Sequence, residues 1–465
     1  MSGSIGSLLL LGASGDLSGR LLLPALGQLL DREDSRREVV LVGAGSEDWN
    51  SDAWQQRIRT SFADGKVSDE ALQSVLATTR YAKADVTSPD DLQSLIDSCP
   101  PAPALYFALP PSVTVAACKA LQQVSLPEGT NLVLEKPFGL NQESAASLNR
   151  LLAELVPEDQ VHRIDHFLGR STILNLLGVR FANRLFEPVW SNEHIERVDI
   201  IFDEQLTLEN RARYYDHAGA LMDMIQSHLL QVLALVAMEP IARADAVDLR
   251  DAKAQVLRAC RPWNDDPIRA GRQARYTRGS IDGRDVPDYT AEPGVDPARN
   301  TETLAELVVE IDNWRWAGVP FRLRSGKALR ERRKEVLVTF KPLPHLPTGM
   351  LGQALPDRLR LSMSPDRMAL EMNINGPGDP LQLDRVSLDT DMNPGRLPAY
   401  GEVLAGVLDG DPMLAVRGDT AEECWRVVDP VLQAWRAGNV AMDEYAAGSD
   451  GPSNWADGPK GPAGS

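Results

Sequence analysis

Short apolar runs alternate with helix-like segments over the first 165 residues of the chain. Leu8–Leu11 is a continuous apolar run, and Leu21–Leu30, which follows a glycine-rich turn, has helical character. Short buried strands separated by helices are typical of a parallel sheet that is covered on both faces. The further strands predicted on this basis are Val39–Val42, Tyr81–Val86, Ala104–Ala108 and Leu132–Leu134, and the further helices are Trp54–Phe62 and Asp69–Leu76.

The pattern changes after about residue 165. A long apolar helix is predicted from Ala218 to Met238, and the strands around it are separated by Pro/Gly turns, which favours a mostly antiparallel sheet. These strands are Arg197–Phe202, Ala305–Ile311, Val336–Phe340, Arg358–Met363 and Met368–Ile374. The segment Arg261–Asn300, rich in Arg, Asp, Gly and Pro, is predicted to be a long ordered loop, and Gly448–Ser465 a coil. We therefore predict two domains: an α/β domain at residues 1–165 and an α+β domain with a large, mostly antiparallel sheet at residues 166–465.

The composition is that of an ordinary globular protein, with 43% hydrophobic and 25% charged residues among 465. Lys and Arg number 48 against 66 Asp and Glu, so the net charge is 48 − 66 = −18. This balance argues against nucleic acid and against an anionic membrane as partners. No continuous run of about 18 apolar residues is present, and the N-terminal segment does not resemble a signal peptide. The four cysteines form no C-x-x-C pair, so we expect no disulfide framework, no metal cage and a cytoplasmic location.

The segment Gly12–Leu17 follows a predicted strand and opens a predicted helix. That arrangement directs free backbone N–H groups and the positive end of a helix dipole toward a phosphate group. Ser14 stands where the full dinucleotide fingerprint has its middle glycine, and many glycine-rich turns are only turns. Its position at the end of the first strand favours a pyrophosphate site.

Two segments near the predicted domain boundary carry charged side chains. Lys136 follows a strand of the predicted parallel sheet and precedes Pro137, which is compatible with a cis peptide bond. A surface lysine before a turn would have the same sequence pattern. Asp165 and His166 lie in the run RIDHFLGR, and domain junctions are favoured ligand sites. A solvated junction segment is the alternative interpretation.

The apolar helix carries two ionisable residues, Asp223 and His228. A lone histidine there is usually a hydrogen-bonded core residue, but a buried Asp223 requires a partner or a task. An Asp–His pair lets a carboxylate orient an imidazole that accepts a proton. The basic strand-to-turn segment Arg324–Lys327 suits an anion, although basic turns are common.

Six segments, taken in order and spacing, strongly resemble the glucose-6-phosphate dehydrogenase family: GASGDL, LEKPFG, RIDHFLGR, RYYDHAGALMDMIQSHLLQ, NWRWAGVPFRLRSGKAL and RGDTAEECWRVVDP. The likeness runs from about residue 8 to about residue 457. It implies a Rossmann-like coenzyme domain, followed by a β+α domain whose large sheet forms a homodimer interface. It also implies oxidation of the anomeric hydroxyl of glucose 6-phosphate to a lactone, with hydride transfer to NADP or NAD, in the oxidative pentose phosphate pathway.

The resemblance further implies the role of each site residue. His228 matches the general base and Asp165 the aspartate paired with it, an arrangement in which the carboxylate stabilises the imidazolium. The matches for substrate binding are His166 and Arg170 for the phosphate, Glu204, Asp223 and Lys327 for the sugar, and Lys136 for both substrate and coenzyme. The remaining matches on the coenzyme side are Gly12, Ala13, Ser14, Gly15, Asp16, Leu17, Asp85 and Val86, with Ser46 just past the second strand.

Several residues depart from the family pattern at the substrate end. Leu21 stands in place of a lysine, Phe167 of a tyrosine, Arg170 of a lysine, Arg213 of a glycine and Ser227 of an asparagine. A paralogue that acts on a different sugar is therefore an alternative. A catalytically silent regulatory member is a second alternative, disfavoured because the lysines, Asp165 and His228 are retained.

Ser46 stands where the family commonly places an arginine that pairs with the 2′-phosphate of NADP. It is followed by Glu47 and Asp48, whose charges repel a phosphate but suit a bare ribose. We therefore predict a weakened preference for NADP, with NAD used comparably or better. The expected partners are a sugar phosphate and a dinucleotide, and the expected assembly is a homodimer or homotetramer.

Overall fold

A computed structural model of the chain describes residues 5–32, 37–100, 102–209, 212–392, 395 and 397–455. The chain divides into two compact units. Unit 1 comprises Met1–Leu174, Ile241–Ala254 and Gly395–Glu423, and unit 2 comprises Asn175–Pro240, Gln255–Pro394 and Cys424–Ser465. Both units are thus discontinuous in sequence, whereas the predicted domains meet at a single boundary at residue 165, which stays a prediction.

The strands and helices are numbered in chain order. The strands are β1 (Ser7–Leu11), β2 (Val40–Gly45), β3 (Arg80–Lys83), β4 (Pro103–Phe107), β5 (Asn131–Glu135), β6 (Val161–Ile164), β7 (Ile195–Asp203), β8 (Cys260–Pro262), β9 (Gly271–Thr277), β10 (Gly279–Ile281), β11 (Arg284–Val286), β12 (Leu304–Ile311), β13 (Phe321–Gly326), β14 (Arg333–Phe340), β15 (Arg358–Met363), β16 (Asp366–Asn375), β17 (Leu383–Asp391), β18 (Ala415–Val416) and β19 (Met442–Ala446). The helices are α1 (Leu23–Leu30), α2 (Ser51–Asp64), α3 (Asp69–Thr78), α4 (Pro89–Asp97), α5 (Pro111–Leu121), α6 (Gln142–Ala153), α7 (Ser171–Phe181), α8 (Ala212–Ala220), α9 (Leu230–Ala237), α10 (Ala246–Ala259), α11 (Pro267–Ala270), α12 (Ala399–Leu408) and α13 (Gly418–Arg436). Two π-helical segments, Ser18–Leu22 and Leu221–Leu229, lead into α1 and α9.

Unit 1 is built on a seven-stranded sheet in the order β18-β6-β5-β4-β1-β2-β3. Every pair is parallel except β18 with β6, and all five residues of β1 are buried, as expected for a sheet covered on both faces. The chain continues from β1 to β2 on one side and later returns to β4 on the other. The carboxyl end of β1 is therefore the point at which doubly wound sheets bind ligands. The predicted α/β architecture is confirmed.

Unit 2 contains a large sheet in the order β17-β16-β15-β14-β7-β13-β12-β9-β19, with β8 also paired to β12. The described pairs are antiparallel apart from β7 with β13 and β9 with β19. The prediction of a large, mostly antiparallel sheet is confirmed.

The predicted apolar helix is part of a helical stretch from Ala212 to Ala237 that is interrupted at Gly219. By length and composition alone this stretch resembles a membrane-spanning helix. Most of its apolar window is buried inside the protein, as is typical of a core helix. The part after the interruption packs against β12 and β13.

The long loop predicted at Arg261–Asn300 is wrong. The segment contains β8, α11, β9 and the antiparallel hairpin of β10 and β11. Arginines in β9 disguise the strand, because Arg272 lies against the buried carboxylate of Glu306 on β12 while Ala274 and Tyr276 are buried. In the predicted C-terminal coil, Ser453–Trp455 forms a 3₁₀ turn with Trp455 buried, and residues 456–465 lie outside the described residues.

Candidate active site

The turn after β1 is fixed by close backbone contacts in unit 1. Gly12 has a φ of 87°, and a Cβ atom there would lie 2.3 Å from the carbonyl oxygen of Ala108. The Gly12 N–H donates to the carbonyl of Ala44 at 2.9 Å, and the Gly15 N–H donates to the carbonyl of Gly12 at 3.0 Å. Only glycine fits at position 12 without strain. The turn therefore brings bare backbone to the carboxyl end of β1, as close approach to a pyrophosphate requires.

A cavity of about 760 Å³ opens beside this turn. Six residues predicted for the coenzyme line it: Gly12, Ser14, Gly15, Ser46, Asp85 and Val86. Its other lining residues are Gly45, Lys83, Ala84, Thr87, Asp91, Ala108, Leu109, Pro110 and Val113. The glycine turn has the form that a phosphate cradle requires, and the ends of β2 and β3 line the remaining space, as a ribose and base would need. The residues present thus fit a dinucleotide.

Four predicted coenzyme residues do not line this cavity. Ala13 is fully buried, and Leu17 packs against the hydrophobic core. Asp16 is exposed and forms an ion pair with Arg20 at 3.2 Å. Lys136 is half-buried after β5. The first three contribute to the structure of the turn and of the helix that it opens.

Arg57 on α2 supports the same turn and was not predicted. Its Nη2 donates to the carbonyl oxygen of Gly15 at 2.7 Å, and a Cβ atom on Gly19 would lie 2.1 Å from its guanidinium carbon. This contact satisfies a carbonyl group of the turn and ties the turn to α2. In the sequence it is one of two arginines in a predicted helix, and nothing distinguishes it from Arg59.

Two acidic residues follow Ser46, which lines the cavity just past the end of β2. Ser46, Glu47 and Asp48 are all exposed, and the one cation among the described lining residues, Lys83, pairs with Asp48 at 3.7 Å. Burial raises the pKa of Tyr81, and the charges of Glu47 and Asp48 raise it further. A 2′-phosphate placed here would meet two carboxylates and one shared lysine.

Asp85 organises the loop after β3. Its Oδ1 accepts hydrogen bonds from the Thr87 hydroxyl at 2.7 Å and the Thr87 N–H at 2.9 Å. These bonds lower the pKa of Asp85. The carboxylate is thus occupied in shaping the loop that lines the cavity, next to buried Val86.

A second group of polar side chains in unit 1 surrounds the end of β5. The Lys136–Pro137 peptide bond is cis, as the sequence allowed. The Tyr106 hydroxyl donates to Glu135 Oε1 at 2.5 Å. Burial raises the pKa of Glu135 to about 7, against the opposing effects of Tyr106, Lys136 and Tyr400. Sequence reasoning missed Tyr106 and Tyr400, because both lie in apolar segments without a distinguishing pattern.

The end of β6 carries the next predicted residues. Asp165 is 2% exposed, and its Oδ1 accepts the Phe167 N–H at 2.9 Å in a tight turn. The imidazole of His166 stacks on the ring of Tyr400, with centroids 5.3 Å apart and planes 12° apart. The guanidinium carbon of Arg170 lies 5.1 Å from the centre of the Phe167 ring. The Phe167 ring thus provides a surface against which the Arg170 guanidinium packs.

In unit 2, Glu204 joins two lysines. Its Oε2 lies 3.0 Å from the Nζ of Lys327, and its Oε1 lies 3.0 Å from the Nζ of Lys334. Burial raises the pKa of Glu204, but the two lysines outweigh burial and the pKa is lowered. Glu204 and Lys327 were predicted together, whereas Lys334 was missed because it lies in a run of surface-like charges.

The π-helical segment of unit 2 carries Asp223 and His228. Asp223 is half-buried rather than buried, because the segment turns it toward Tyr214, whose hydroxyl donates to Asp223 Oδ1 at 3.2 Å. His228 is 1% exposed. Among the departures from the family pattern, Leu21 is 45% exposed and Arg213 is exposed, so neither is required by the core.

Comparison with known domain families gives two adjacent matches. The family described as "Glucose-6-phosphate dehydrogenase, NAD binding domain" matches residues 9–175, and "Glucose-6-phosphate dehydrogenase, C-terminal domain" matches residues 177–458.

Similar proteins span nearly the full length. The glucose-6-phosphate 1-dehydrogenase of Zymomonas mobilis is 36% identical over 450 residues, covering 93% of this chain and 92% of that protein. A crystal structure of glucose-6-phosphate 1-dehydrogenase from Mycobacterium avium has a TM-score of 0.84 at 34% identity, covering 97% of this chain and 96% of that one. A glucose-6-phosphate dehydrogenase in complex with its substrate glucose 6-phosphate has a TM-score of 0.88 at 28% identity, covering 97% of each chain.

Proposed function

Because the chain belongs to the glucose-6-phosphate dehydrogenase family, we propose that it oxidises glucose 6-phosphate to 6-phosphogluconolactone with hydride transfer to NAD or NADP. The reaction opens the oxidative pentose phosphate pathway. The observation that carries this assignment is the cavity at the carboxyl end of β1, where Gly12 admits bare backbone and six predicted coenzyme residues converge. The bound dinucleotide supplies the hydride acceptor.

In the proposed mechanism the chain's own residues bind the sugar and remove one proton. His228 takes the proton from the anomeric hydroxyl as the carbonyl forms, since an imidazole titrates near neutral pH. Asp165 stabilises the resulting imidazolium. His166 and Arg170 bind the phosphate, and Lys136, Glu204, Asp223 and Lys327 bind the sugar. The resemblance in motif and spacing supports these roles.

The coenzyme preference follows from the end of β2. An arginine pairs with a 2′-phosphate through a bidentate fork, whereas Ser46 offers one hydroxyl beside two carboxylates. Lys83 is shared with Asp48 and is 57% exposed, so it compensates weakly. We therefore propose that NAD is used comparably to NADP or better.

A matrix of sugars against NAD and NADP, followed by absorbance of the reduced nicotinamide, tests both proposals. Glucose 6-phosphate should give the highest kcat/KM, with NAD at least equal to NADP. Faster oxidation of free glucose or of another anionic sugar would favour the paralogue indicated by Leu21, Phe167, Arg170 and Arg213. Absence of reduction with every sugar would favour the silent regulatory member.

We also propose a homodimer formed through one face of the large sheet in unit 2. Register places Leu370 opposite Leu388 and Met372 opposite Val386, so these side chains share a face of β16 and β17 with Ile374. We call these five residues the apolar sheet face. Leu388 is 59% and Ile374 42% exposed, and contiguous exposed apolar surface is typical of a protein–protein interface. A tetramer would pair two such dimers.

A cytoplasmic location is proposed on the state of the thiols. The four cysteines, all within the described residues, are thiols rather than disulfides, and Cys118, Cys260 and Cys424 are buried, as suits a reducing compartment. Cell fractionation with an antibody against the protein tests this, and recovery outside the cytoplasm would contradict it.

A further inference from the structure

The helix that carries Asp223 and His228 begins where the helical backbone of unit 2 is interrupted at Gly219. At Gly219, φ is 65° and ψ is 176°, so the helix after it has its own N-terminus. The first N–H groups of any helix lack partners within it. The Leu221 N–H donates to the side-chain Oε1 of Glu302 at 2.9 Å, and Glu302 lies 81 residues later in the chain.

At this interruption the Glu302 carboxyl group occupies the space that a side chain at position 219 would need. A Cβ atom on Gly219 would lie 2.3 Å from Glu302 Oε1 and 2.4 Å from Oε2. Glu302 is 6% exposed, so its carboxyl group fills the space at the end of the helix. A glycine with positive φ and a long-range acidic cap thus form one arrangement, in which the acidic group meets the positive end of the helix dipole.

Burial and hydrogen bonding change the pKa of the Glu302 carboxyl group in opposite directions. Burial raises the pKa of Glu302 to about 7, while the N–H groups of Leu221 and Ala220 and the charge of Arg436 oppose that rise. Tyr215 and Tyr289 also lie within electrostatic reach of Glu302. Burying a carboxyl group has a desolvation cost that an apolar side chain would avoid. The presence of Glu302 at this buried position therefore indicates a specific structural or functional role.

The residues on either side of Glu302 hold two further parts of the site. The Thr301 hydroxyl donates to the carbonyl of Asp216 on α8 at 2.6 Å. The Lys327 N–H donates to the carbonyl of Thr303 at 2.9 Å. The Tyr445 hydroxyl lies 2.9 Å from that of Thr303 and donates to the carbonyl of Lys327 at 2.7 Å. Three consecutive residues therefore contact α8, the helix of His228 and the turn of Lys327.

We propose that Glu302 is a positioning residue of the reaction, whose side chain caps the helix of Asp223 and His228 while its neighbour Thr303 holds Lys327. This inference rests on the proposed function, because it assigns Glu302 an effect on that reaction. Glu302 acts through the backbone at the start of the helix. Its loss lets the first turn of the helix shift, and a displacement of about 1 Å is enough to cost on the order of 100-fold in rate.

The test compares Glu302→Gln and Glu302→Ala with the wild type and with Glu306→Gln. Glu306 is the matched control, since it is also buried, lies four residues further on and pairs with Arg272 instead of capping a helix. Each protein is assayed for kcat, for both KM values, and for the primary deuterium isotope effect with glucose 6-phosphate deuterated at C1. Amide hydrogen exchange of the Ala220–Asp223 segment is measured in parallel.

We expect Glu302→Gln to lower kcat by about 10-fold and Glu302→Ala by more, because the amide keeps an acceptor but loses the charge. The isotope effect should rise as the chemical step becomes limiting, exchange at Ala220–Asp223 should speed up, and the coenzyme KM should stay within about twofold. Glu306→Gln should lower thermal stability and leave kcat and the isotope effect unchanged. If Glu302→Ala does not fold, the isosteric variant Glu302→Gln alone tests the positioning role of Glu302.

Two results would overturn the inference while the proposed function stands. One is an active wild type whose folded Glu302 variants keep kcat and the isotope effect. The other is an equal loss of kcat in Glu306→Gln, which would show a general effect of losing a buried carboxylate. An inactive wild type would instead overturn the proposed function, and the inference with it.

Discussion

At the residue scale, His228 is the side chain on which the proposed reaction depends. It is 1% exposed on the π-helical segment of unit 2. Asparagine is similar in size and retains hydrogen bonding, but it cannot accept the proton. We expect His228→Asn to lower kcat by about 100-fold or more and to leave dinucleotide binding intact. Steady-state kinetics and fluorescence titration of the coenzyme check this, and near-normal turnover would remove His228 from the mechanism.

Ser46 is the residue on which the proposed coenzyme preference depends. Ser46→Arg places a guanidinium at the end of β2, in a cavity whose one cation among the described lining residues, Lys83, is shared with Asp48. We expect the ratio of kcat/KM for NADP to that for NAD to rise by about 10-fold or more, equivalent to about 1.4 kcal/mol.

The control for that change is Ser46→Gln, which lengthens the side chain and keeps an N–H donor without adding charge, and which should shift the ratio little. The measurement is kcat/KM with each dinucleotide at saturating sugar phosphate. An unchanged ratio in Ser46→Arg would show that the 2′-phosphate is not bound near position 46.

The location of a functional residue was predictable where a charged side chain lies in a recognisable sequence motif. Glu204 and Lys327 were expected to act on the same ligand, and the structure joins them at 3.0 Å. Glu135 and Tyr400 were not predicted, because their roles arise from burial and from a contact with Tyr106 or His166 that no local pattern contains.

At the scale of elements, the turn between β1 and the first helix carries a clear prediction. A side chain on Gly12 would meet the carbonyl oxygen of Ala108 at 2.3 Å in a backbone conformation that favours glycine. We expect Gly12→Ala to weaken dinucleotide binding by about 10-fold or more, because the added methyl group forces the turn out of the conformation that admits a pyrophosphate. Equilibrium titration with NAD and NADP measures the loss.

Gly178→Ala is its control. Gly178 lies on α7, and a Cβ atom there meets nothing within 4 Å. The same substitution should raise stability by up to about 1 kcal/mol and leave coenzyme binding unchanged. Equal dinucleotide affinity in Gly12→Ala and in the wild type would show that the cradle does not depend on bare backbone.

Strands and helices with a simple hydrophobic pattern were predictable from the sequence. Those stabilised by side chains far away in the sequence were not. β1 and β2 follow from their apolar runs, since both faces of a parallel sheet are covered. β9 was missed, because Arg272 is stabilised by Glu306 on a strand more than 30 residues away. The interruption of the long helix at Gly219 was also missed, since its cap, Glu302, is equally remote in sequence.

At the scale of the whole molecule, a net charge of −18 coexists with two anionic ligands. We propose that local cations bind these ligands. In unit 2, Lys327 and Lys334 both pair with Glu204. Composition excluded a basic binding surface and could not reveal these pairs, because they depend on how β7, β13 and β14 align. In this acidic background a single missing cation, as at Ser46, has more effect than it would in a neutral protein.

The proposed homodimer is the prediction that belongs to the molecule as a whole. Leu388 is 59% exposed on the apolar sheet face and lies opposite Leu370 on β16. A lysine there must lose its hydration if the face is buried, and symmetry repeats the cost in the partner. We expect Leu388→Lys to raise the dimer dissociation constant at least about 100-fold, as sedimentation equilibrium measures, with the fold retained.

Ser387 is the matched control, because its side chain is on the other face of the same strand and is also exposed. Ser387→Lys adds the same charge one residue away and should leave the dimer intact. The opposite pattern, dissociation by Ser387→Lys alone, would place the interface on the polar face, where Arg360 and Arg385 pair with Glu371. A monomeric wild type would mean that exposure of Leu388 and Ile374 serves some other contact.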